Sequence, residues 1–431
     1  DAIEGEAFEA KGRLYGYFGP TPALLRLPLV AFDLGFARLS RVFMLLYFGA
    51  SLLAAYLLLR DATKLVRDGD PAAAAEPSAF SVVTLVASVG LGSTVFFLGS
   101  RALIFHEAIL AGIAFALWSA WCALRYLQSP ASRWWLGALA CGVLSLHARP
   151  PTGLFALTLL GCVAAALLIR DWNEESAVTG RWLIRPPGFR RHMGIGLLCV
   201  AGQLSLNGLA YLKFGTLDPA PLRISRPYTD PGRLDHIEGK SFHTANLPYN
   251  FHTYVIYPNA RLDPGFPWIY FGGRSPPGEF PGARIDLPDT TLALPYAMPS
   301  LFGLASLGSF AAFLVAPRAR WPLGLLWAAL LPMTLALFAA VATAQRYTGD
   351  FVPLLTAGAV FGLAAIDHAS SRWRRALRPL VALLTAAAIA VTVAVTVHYQ
   401  GEVLWGVPED VRQNYQSLRK RVDTFFGVTS P

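Results

Sequence analysis

Long apolar segments separated by short polar loops dominate this sequence. About 20 apolar residues in a helix cross about 30 Å of hydrocarbon, and these segments are apolar on all sides, unlike the amphipathic helices of a soluble protein. The predicted spans cover residues 42–60, 79–99, 104–127, 134–149, 152–169, 193–213, 296–316, 321–344, 352–368 and 379–398, of which the fourth, fifth and ninth are short. We therefore expect an all-α membrane protein, a polytopic helical bundle of about ten spans, with six in residues 42–213 and four in residues 296–398.

Three segments lie outside the predicted spans. Residues 1–41 combine acidic positions with glycines, prolines and aromatics, and we interpret them as a loop with an interfacial helix over 23–36. Residues 214–295 form a long connection rich in proline and aromatic residues, which predicts short helices and turns packed over one end of the bundle. Residues 399–431 form a tail with a helical pattern from Asp410 to Phe425.

The arginines and lysines of the short loops predict an orientation. Alternate loops hold only Arg101, Arg149 and Arg346. The basic set of loops comprises Arg60, Lys64 and Arg67; Arg125 and Arg133; Arg181, Arg185, Arg190 and Arg191; Arg318 and Arg320; and Arg372, Arg374, Arg375 and Arg378. Because cytoplasmic loops carry the excess of positive charge, we expect this set to be cytoplasmic and the three segments above to be external. An external first residue requires either an unusual mode of insertion or one further span upstream, and we expect the further span.

Composition narrows the functional classes. The chain has 431 residues, of which 54% are hydrophobic and 15% are charged, with a net charge of +9. We attribute that charge to loop arginines facing anionic lipid rather than to nucleic-acid binding. The four cysteines lie inside apolar segments and predict small packing residues rather than disulfides. No metal-ligand spacing and no nucleotide-binding motif is present, although the sequence leaves a divalent cation open as a cofactor.

Ionisable residues near the predicted membrane gather at its outer face. Because burying a charge near the bilayer costs roughly 2–4 kcal/mol, such residues are candidates for function. The candidates for catalysis are Asp350, Glu4, Glu6 and Glu107; those for binding a phosphate are Arg149 and Arg346; and those for support are His106, His147, Tyr347, Tyr15 and Tyr17.

The residue types suit transfer of a sugar from a lipid phosphate. Arginine binds phosphate through a planar fork of donors, and a neighbouring carboxylate can take the proton of an acceptor hydroxyl. Simpler interpretations stay open. Arg346 and Asp350 can pair with each other across one helical turn, Arg149 can extend to lipid headgroups, and Glu107 can serve only the helix start.

Several motifs resemble bacterial membrane proteins grouped with the GT-C superfamily of glycosyltransferases. The resemblance extends over most of the chain. It rests on Gly12-x-x-Tyr15-Gly16-Tyr17-Phe18-Gly19-Pro20-x-Pro22-Ala23-Leu24-Leu25-x-Leu27-Pro28, His106-Glu107-Ala108, Ala148-Arg149-Pro150, Lys213-Phe214-Gly215, Asn246-Leu247-Pro248-x-Asn250 and Gln345-Arg346-Tyr347-x-x-Asp350-Phe351-x-Pro353.

The resemblance implies a function and a place for the catalytic acid. Enzymes of this superfamily use polyprenyl-phosphate or pyrophosphate sugar donors on the outer face, with a catalytic acid in the first external loop. That loop corresponds here to residues 1–9, where Asp1, Glu4 and Glu6 are the acids in question. We therefore expect a glycosyltransferase of the bacterial cytoplasmic membrane, acting on an envelope glycan, lipid or protein. The alternatives are a transporter or flippase, which usually places polar groups at the midplane, and a non-catalytic envelope assembly protein.

Overall fold

The computed structural model describes residues 7–16, 19–34, 39–67, 76–179, 188–271, 275–401 and 408–428. Seven helices within these residues are long and apolar enough to cross a membrane: Ser40–Val66, Ile104–Gln128, Pro150–Asn173, Phe189–Phe214, Pro317–Ala339, Gln345–His368 and Ser371–Tyr399. The predicted all-α, polytopic class is confirmed, and the chain is an integral membrane protein.

The first half of the chain supplies two short strands and eight helices. In chain order they are β1 (Phe8–Ala10), β2 (Arg13–Tyr15), α1 (Thr21–Val30), α2 (Ser40–Val66), α3 (Ala79–Gly90), α4 (Thr94–Gly99), α5 (Ile104–Gln128), α6 (Ser132–Ala148), α7 (Pro150–Thr179) and α8 (Phe189–Phe214). The strands form an antiparallel hairpin. Helix α1 covers the first part of residues 23–36, where we expect an interfacial helix, and it leaves Leu24, Leu27 and Val30 exposed.

The second half supplies short elements, the remaining long helices and the tail helix. They are α9 (Pro231–His236), α10 (Leu247–Phe251), β3 (Ala260–Leu262), β4 (Ile269–Phe271), β5 (Leu287–Pro288), α11 (Leu294–Ala297), α12 (Pro299–Gly303), α13 (Ser309–Val315), α14 (Arg320–Ala339), β6 (Ala342–Thr343), α15 (Val352–His368), α16 (Ser371–Gly401) and α17 (Glu409–Phe425). A π-helical segment, Leu304–Gly308, joins α12 to α13. Helix α17 confirms the helical pattern predicted for the tail.

Three predicted spans differ from single long helices. Residues 79–99 form α3 and α4, separated at Gly92, where an added Cβ would lie 2.9 Å from that of Ala388 on α16. Ser93 then begins α4 by accepting a hydrogen bond from the backbone N–H of Val95. The fourth span is the 17-residue α6, and residues 296–316 are divided among α11, α12, the π-helical segment and α13.

Helices α5 and α15 form the centre of the bundle. Within their most apolar 18-residue windows, 83% and 94% of the residues are buried, against 22% in α8. A helix of 25 residues is about 37 Å long, so α5 has its two ends at opposite ends of the bundle. We call the end that contains Arg149 and the N-termini of α5, α7 and α15 the Arg149 face. We call the opposite end, with the C-termini of α2 and α5, the Asp61 face.

The connection between α8 and α11 packs on the Arg149 face. The side-chain amide of Asn250 donates to the carbonyls of Phe338 and Ala340 at 2.7 and 2.8 Å, which fixes α10 on the end of α14. Strand β5 pairs in parallel with β6, with Pro288 opposite Thr343. These contacts bring the long connection onto the backbone that leads directly into Gln345–Phe351.

Candidate functional site

The corner between α6 and α7 positions Arg149. Proline disfavours helical backbone in the residue before it, and Arg149 accordingly has extended φ and ψ of −145° and 107° before Pro150 begins α7. The hydroxyl of Thr152 donates to the carbonyl of Arg149 at 2.9 Å. Gly112 lets α5 approach this corner, because an added Cβ would lie 2.6 Å from the Arg149 Cβ. The local sequence therefore holds the arginine against the centre of the bundle.

Arg149 forms a buried, two-point ion pair with Asp350. Its Nε lies 2.9 Å from Oδ1, and its Nη2 lies 2.6 Å from Oδ2. Arg149 is 7% exposed and Asp350 is fully buried. Two simpler interpretations of the sequence are therefore wrong. Asp350 pairs with an arginine 201 positions away and not with Arg346, and Arg149 points into the protein instead of out to lipid headgroups.

A 3₁₀ turn, Gln345–Phe351, presents Arg346, Tyr347 and Asp350. The Gln345 side-chain carbonyl accepts the backbone N–H of Leu292 at 2.8 Å. The Thr348 hydroxyl lies 2.5 Å from that of Thr94 at the start of α4. The break between α3 and α4 therefore has a structural role, since it places a hydroxyl against the turn.

Arg346 stacks on aromatic rings instead of pairing with an acid. Its guanidinium lies 5.2 Å from the ring centroid of Phe105 and 5.1 Å from that of Tyr347. Arg149 lies 4.7 Å from the same Tyr347 ring, so one phenol contacts both guanidinium groups. Within the described part of the chain, no carboxylate forms an ion pair with Arg346. Arg346 and Tyr347 are partly exposed, whereas Asp350 is not.

Asp289 is a residue of this site that the sequence did not predict. It follows β5 directly, and its backbone N–H donates to the carbonyl of Thr343 at 2.9 Å. The parallel pairing of β5 with β6 thereby sets Asp289 beside the start of the turn, close enough to act electrostatically on Arg346. Asp289, Arg346 and Arg101 all lie within electrostatic reach of the Tyr399 phenol, on which the acid and the two arginines have opposite effects. No local pattern marks Asp289, because only a contact between distant strands brings it here.

The adjacent residues His106 and Glu107 have different environments. His106 is 3% exposed, its Nδ1 lies 3.1 Å from the Leu98 carbonyl, and it is within electrostatic reach of Arg346. Glu107 turns to the other side of α5, where both carboxylate oxygens accept hydrogen bonds from Arg26 Nη2 at 2.6 and 2.7 Å. His106 therefore supports the site, whereas Glu107 ties α1 to α5.

The remaining predicted site residues are set apart from the Arg149–Asp350 pair or lie outside the description. His147 Nε2 lies 2.8 Å from the Ser205 hydroxyl, between α6 and α8. Tyr15 packs edge-on against Phe214 with ring centroids 5.7 Å apart, so it fixes the β1–β2 hairpin to α8. Glu4, Glu6 and Tyr17 lie outside the described residues.

The described residues give little support for a metal site. Among them, no three or more His, Cys, Asp or Glu side chains gather in a group that could hold a metal ion. On the Arg149 face, Asp350 instead pairs with Arg149, and Glu107 pairs with Arg26. Among the described residues that act on Arg346 and Tyr399 or pair with Arg149, three arginines (Arg101, Arg149 and Arg346) stand against two aspartates (Asp289 and Asp350).

No protein-family model, curated protein or solved structure matches this chain. Functional argument therefore rests on the chemistry of the site itself.

Proposed function

We propose that the protein is an integral membrane glycosyltransferase that transfers a sugar from a polyprenyl-phosphate donor to an envelope glycan, lipid or protein on the outer side of the membrane. The observation that carries the proposal is Arg346, a partly exposed guanidinium that stacks on Phe105 and Tyr347 and has no ion-pair partner among the described residues. A cation in that position, at the end of an apolar bundle, suits a phosphate whose lipid tail stays in the bilayer.

Arg149 and Asp350 contribute to the proposed site as a fixed pair. Asp350 uses both oxygens on Arg149, and this engagement favours a positioning role for Asp350 over that of a proton acceptor. Arg149 and Arg346 contact the same Tyr347 ring. The pair therefore keeps Tyr347 in place, and Tyr347 in turn keeps Arg346 oriented.

The proposed reaction forms one bond and breaks one. The acceptor oxygen bonds to C1 of the donor sugar, while the bond between C1 and the phosphate oxygen breaks and its electron pair leaves with the polyprenyl phosphate. Arg346 stabilises the negative charge that grows on that phosphate, as preorganised donors do in other transfer reactions. The acceptor proton passes to a carboxylate, for which Asp289 is the candidate among the described residues, because it is partly exposed and acts electrostatically on Arg346. Glu4 and Glu6 are the first-loop alternatives.

Arg346→Ala tests the proposal in proteoliposomes supplied with a synthetic polyprenyl-phosphate sugar. Because removing one preorganised donor to a developing anion costs about 10²–10³-fold in rate, we expect a loss of that size in the release of polyprenyl phosphate. Arg346→Lys should retain part of the activity, since it keeps the charge without the planar fork. Arg284→Ala is the matched control, because Arg284 lies in the same long connection, exposed and paired only with Glu238. Full activity in Arg346→Ala contradicts the proposal.

The second candidate function is a flippase for a lipid-linked sugar. The interruptions between α3 and α4 and between α12 and α13 favour it, because transporters often bind substrate at broken helices. The same proteoliposomes separate the two functions. A flippase moves the intact donor across the bilayer, whereas a transferase cleaves the bond between C1 and phosphate.

A further inference from the structure

An aromatic cleft lies in the long connection between α8 and α11, apart from the arginines described above. Its volume is about 300 Å³, at the small end of the range for ligand pockets. Its lining includes His236, Tyr249, Ser275, Gly278, Phe280 and Pro288. A cleft of this size admits one small ring or a short segment of a chain, and it is too small for a polyprenyl phosphate.

The cleft contains a buried hydroxyl without a well-formed hydrogen bond. Tyr249 is 7% exposed, and its hydroxyl has no partner of ordinary hydrogen-bond geometry among the described residues. The exposed Ser275 of the same lining is the hydrogen-bonding group that acts on it. Burial raises the pKa of this phenol, so the group is a neutral donor at physiological pH. Such a hydroxyl is unfavourable, because the loss of its hydration is not made up by a hydrogen bond of good geometry. A ligand that accepts its hydrogen bond removes that cost.

Aromatic packing fixes the wall next to that hydroxyl. The Phe280 ring lies 5.3 Å from that of Tyr249 and 5.6 Å from that of His252, both in edge-on arrangements. Gly278, with φ of +118°, forms the turn that brings Phe280 into the cleft, and an added Cβ there would lie 3.6 Å from the Phe280 ring. The wall is therefore a rigid apolar surface beside neutral hydrogen-bonding groups.

The chemistry of the lining selects the class of ligand. Among the described residues, no arginine, lysine, aspartate or glutamate lines the cleft, so these residues offer a phosphate or a charged peptide no counter-charge to offset its desolvation. A purely apolar ligand would leave the Tyr249 hydroxyl unsatisfied. We propose that this cleft binds one sugar unit of a neutral glycan, with an apolar face of the ring on Phe280 and a ring hydroxyl on Tyr249.

The position of the cleft gives the bound sugar a role, and this step rests on the proposed glycosyl transfer. Pro288 lines the cleft, and the next residue is Asp289, which lies within electrostatic reach of Arg346. The last residue of β5 therefore lines the cleft, and the residue after it acts on Arg346. A glycan held here is the acceptor, and the hydroxyl that receives the new sugar extends past Pro288 toward Asp289.

The test measures binding separately from transfer. The purified full-length chain in lipid nanodiscs is titrated with neutral methyl glycosides of hexoses, pentoses and N-acetylhexosamines, and saturation-transfer NMR reports binding. We expect Tyr249→Phe, which removes one hydroxyl, to weaken the binding of the best ligand about fivefold. Ala283 also lines the cleft, so Ala283→Leu fills it and should abolish binding. Tyr270→Phe, on β4 and outside the lining, is the matched control and should bind as the unmodified chain does.

The outcomes separate this proposal from that of the enzyme. The cleft proposal is overturned if the unmodified chain binds none of the glycosides, or if Ala283→Leu and Tyr249→Phe bind them unchanged while their thermal midpoints match the control. If binding follows the expected pattern and no transfer occurs from any donor, the cleft stands and the proposed reaction fails. If transfer occurs and is insensitive to Ala283→Leu, the reaction stands and the cleft is not its acceptor site.

Discussion

Two buried aspartates, one at each face of the bundle, have opposite kinds of environment. Asp350 on the Arg149 face has one arginine, in two-point contact at 2.6–3.1 Å. Asp61 on the opposite face is also fully buried, but three basic groups surround it at 3.5–3.6 Å, on Arg60, Lys64 and Arg125. The indole N–H of Trp121 donates to its other oxygen at 2.9 Å.

Asp61 and Asp350 therefore have different roles, which follow from how exposed the basic groups around each of them are. At the Asp61 face the three cations are 27–46% exposed, so water and lipid headgroups can balance their charge, and the carboxylate mainly joins α2 to α5. At the Arg149 face, Asp350 pairs closely with Arg149. The neighbouring Arg346 stacks on the rings of Phe105 and Tyr347 instead. The first arrangement needs no ligand, whereas the second leaves the guanidinium to which the proposed function assigns a phosphate.

Asp350→Asn should have the largest effect on stability. The change leaves Arg149 buried and uncompensated, and breaking a buried pair in this way costs about 3–5 kcal/mol. Reversible unfolding in mixed micelles measures the loss. The double variant Arg149→Met with Asp350→Leu should regain most of that stability, because apolar replacements of buried pairs are often neutral, yet it should lack transfer activity. Unchanged stability in Asp350→Asn would show that the pair does not restrain this face.

Gly112→Ala should have an intermediate effect. Its new Cβ would lie 2.6 Å from both the Arg149 Cβ and the Thr152 hydroxyl, and overpacking typically costs about 1–3 kcal/mol. Gly137→Ala is the matched change near the Asp61 face, where the Cβ would meet the Cys122 Sγ at 3.2 Å. That side chain can move, so we expect a smaller loss of stability and no loss of transfer. Equal effects of the two variants on transfer would contradict a functional difference between the faces.

Asp61→Asn should have the smallest effect. Asparagine keeps an acceptor for the Trp121 indole, and the three partly exposed cations regain water, so we expect a loss of about 1 kcal/mol or less. Transfer activity should be unchanged, as measured by the release of polyprenyl phosphate from proteoliposomes. A large loss of activity in this variant would move the functional site to the opposite face.

The sequence predicted those helices that depend on the residues of their own segment alone. Apolar length alone identifies α2, α5 and α15, and the pattern from Asp410 to Phe425 identifies α17. It did not predict the interruption at Gly92, because the reason is contact with Ala388 nearly 300 positions later. The strands of the long connection were missed for the same reason, since short β pairs depend on partners elsewhere in the chain.

The sequence predicted several residues of the candidate site, but it did not predict which of them pair with each other. The cost of a charge near a membrane identified Arg149, Arg346 and Asp350 from their positions alone. Nothing local indicated that Asp350 pairs with Arg149, or that Asp289 joins them after β5. Sequence separation, rather than residue chemistry, limited the prediction.

The distance along the chain between Arg149 and Asp350 also has a consequence for biosynthesis. They are 201 positions apart, and at a synthesis rate of about 5–20 residues per second the arginine emerges roughly 10–40 s before its partner. Asp61 has Arg60 and Lys64 on its own helix from the outset. We therefore expect the nascent chain to keep α6 and α7 in the translocation machinery, or at the lipid interface, while Arg149 between them has no acid to pair with. Their release into the bilayer would then await the synthesis of the turn Gln345–Phe351.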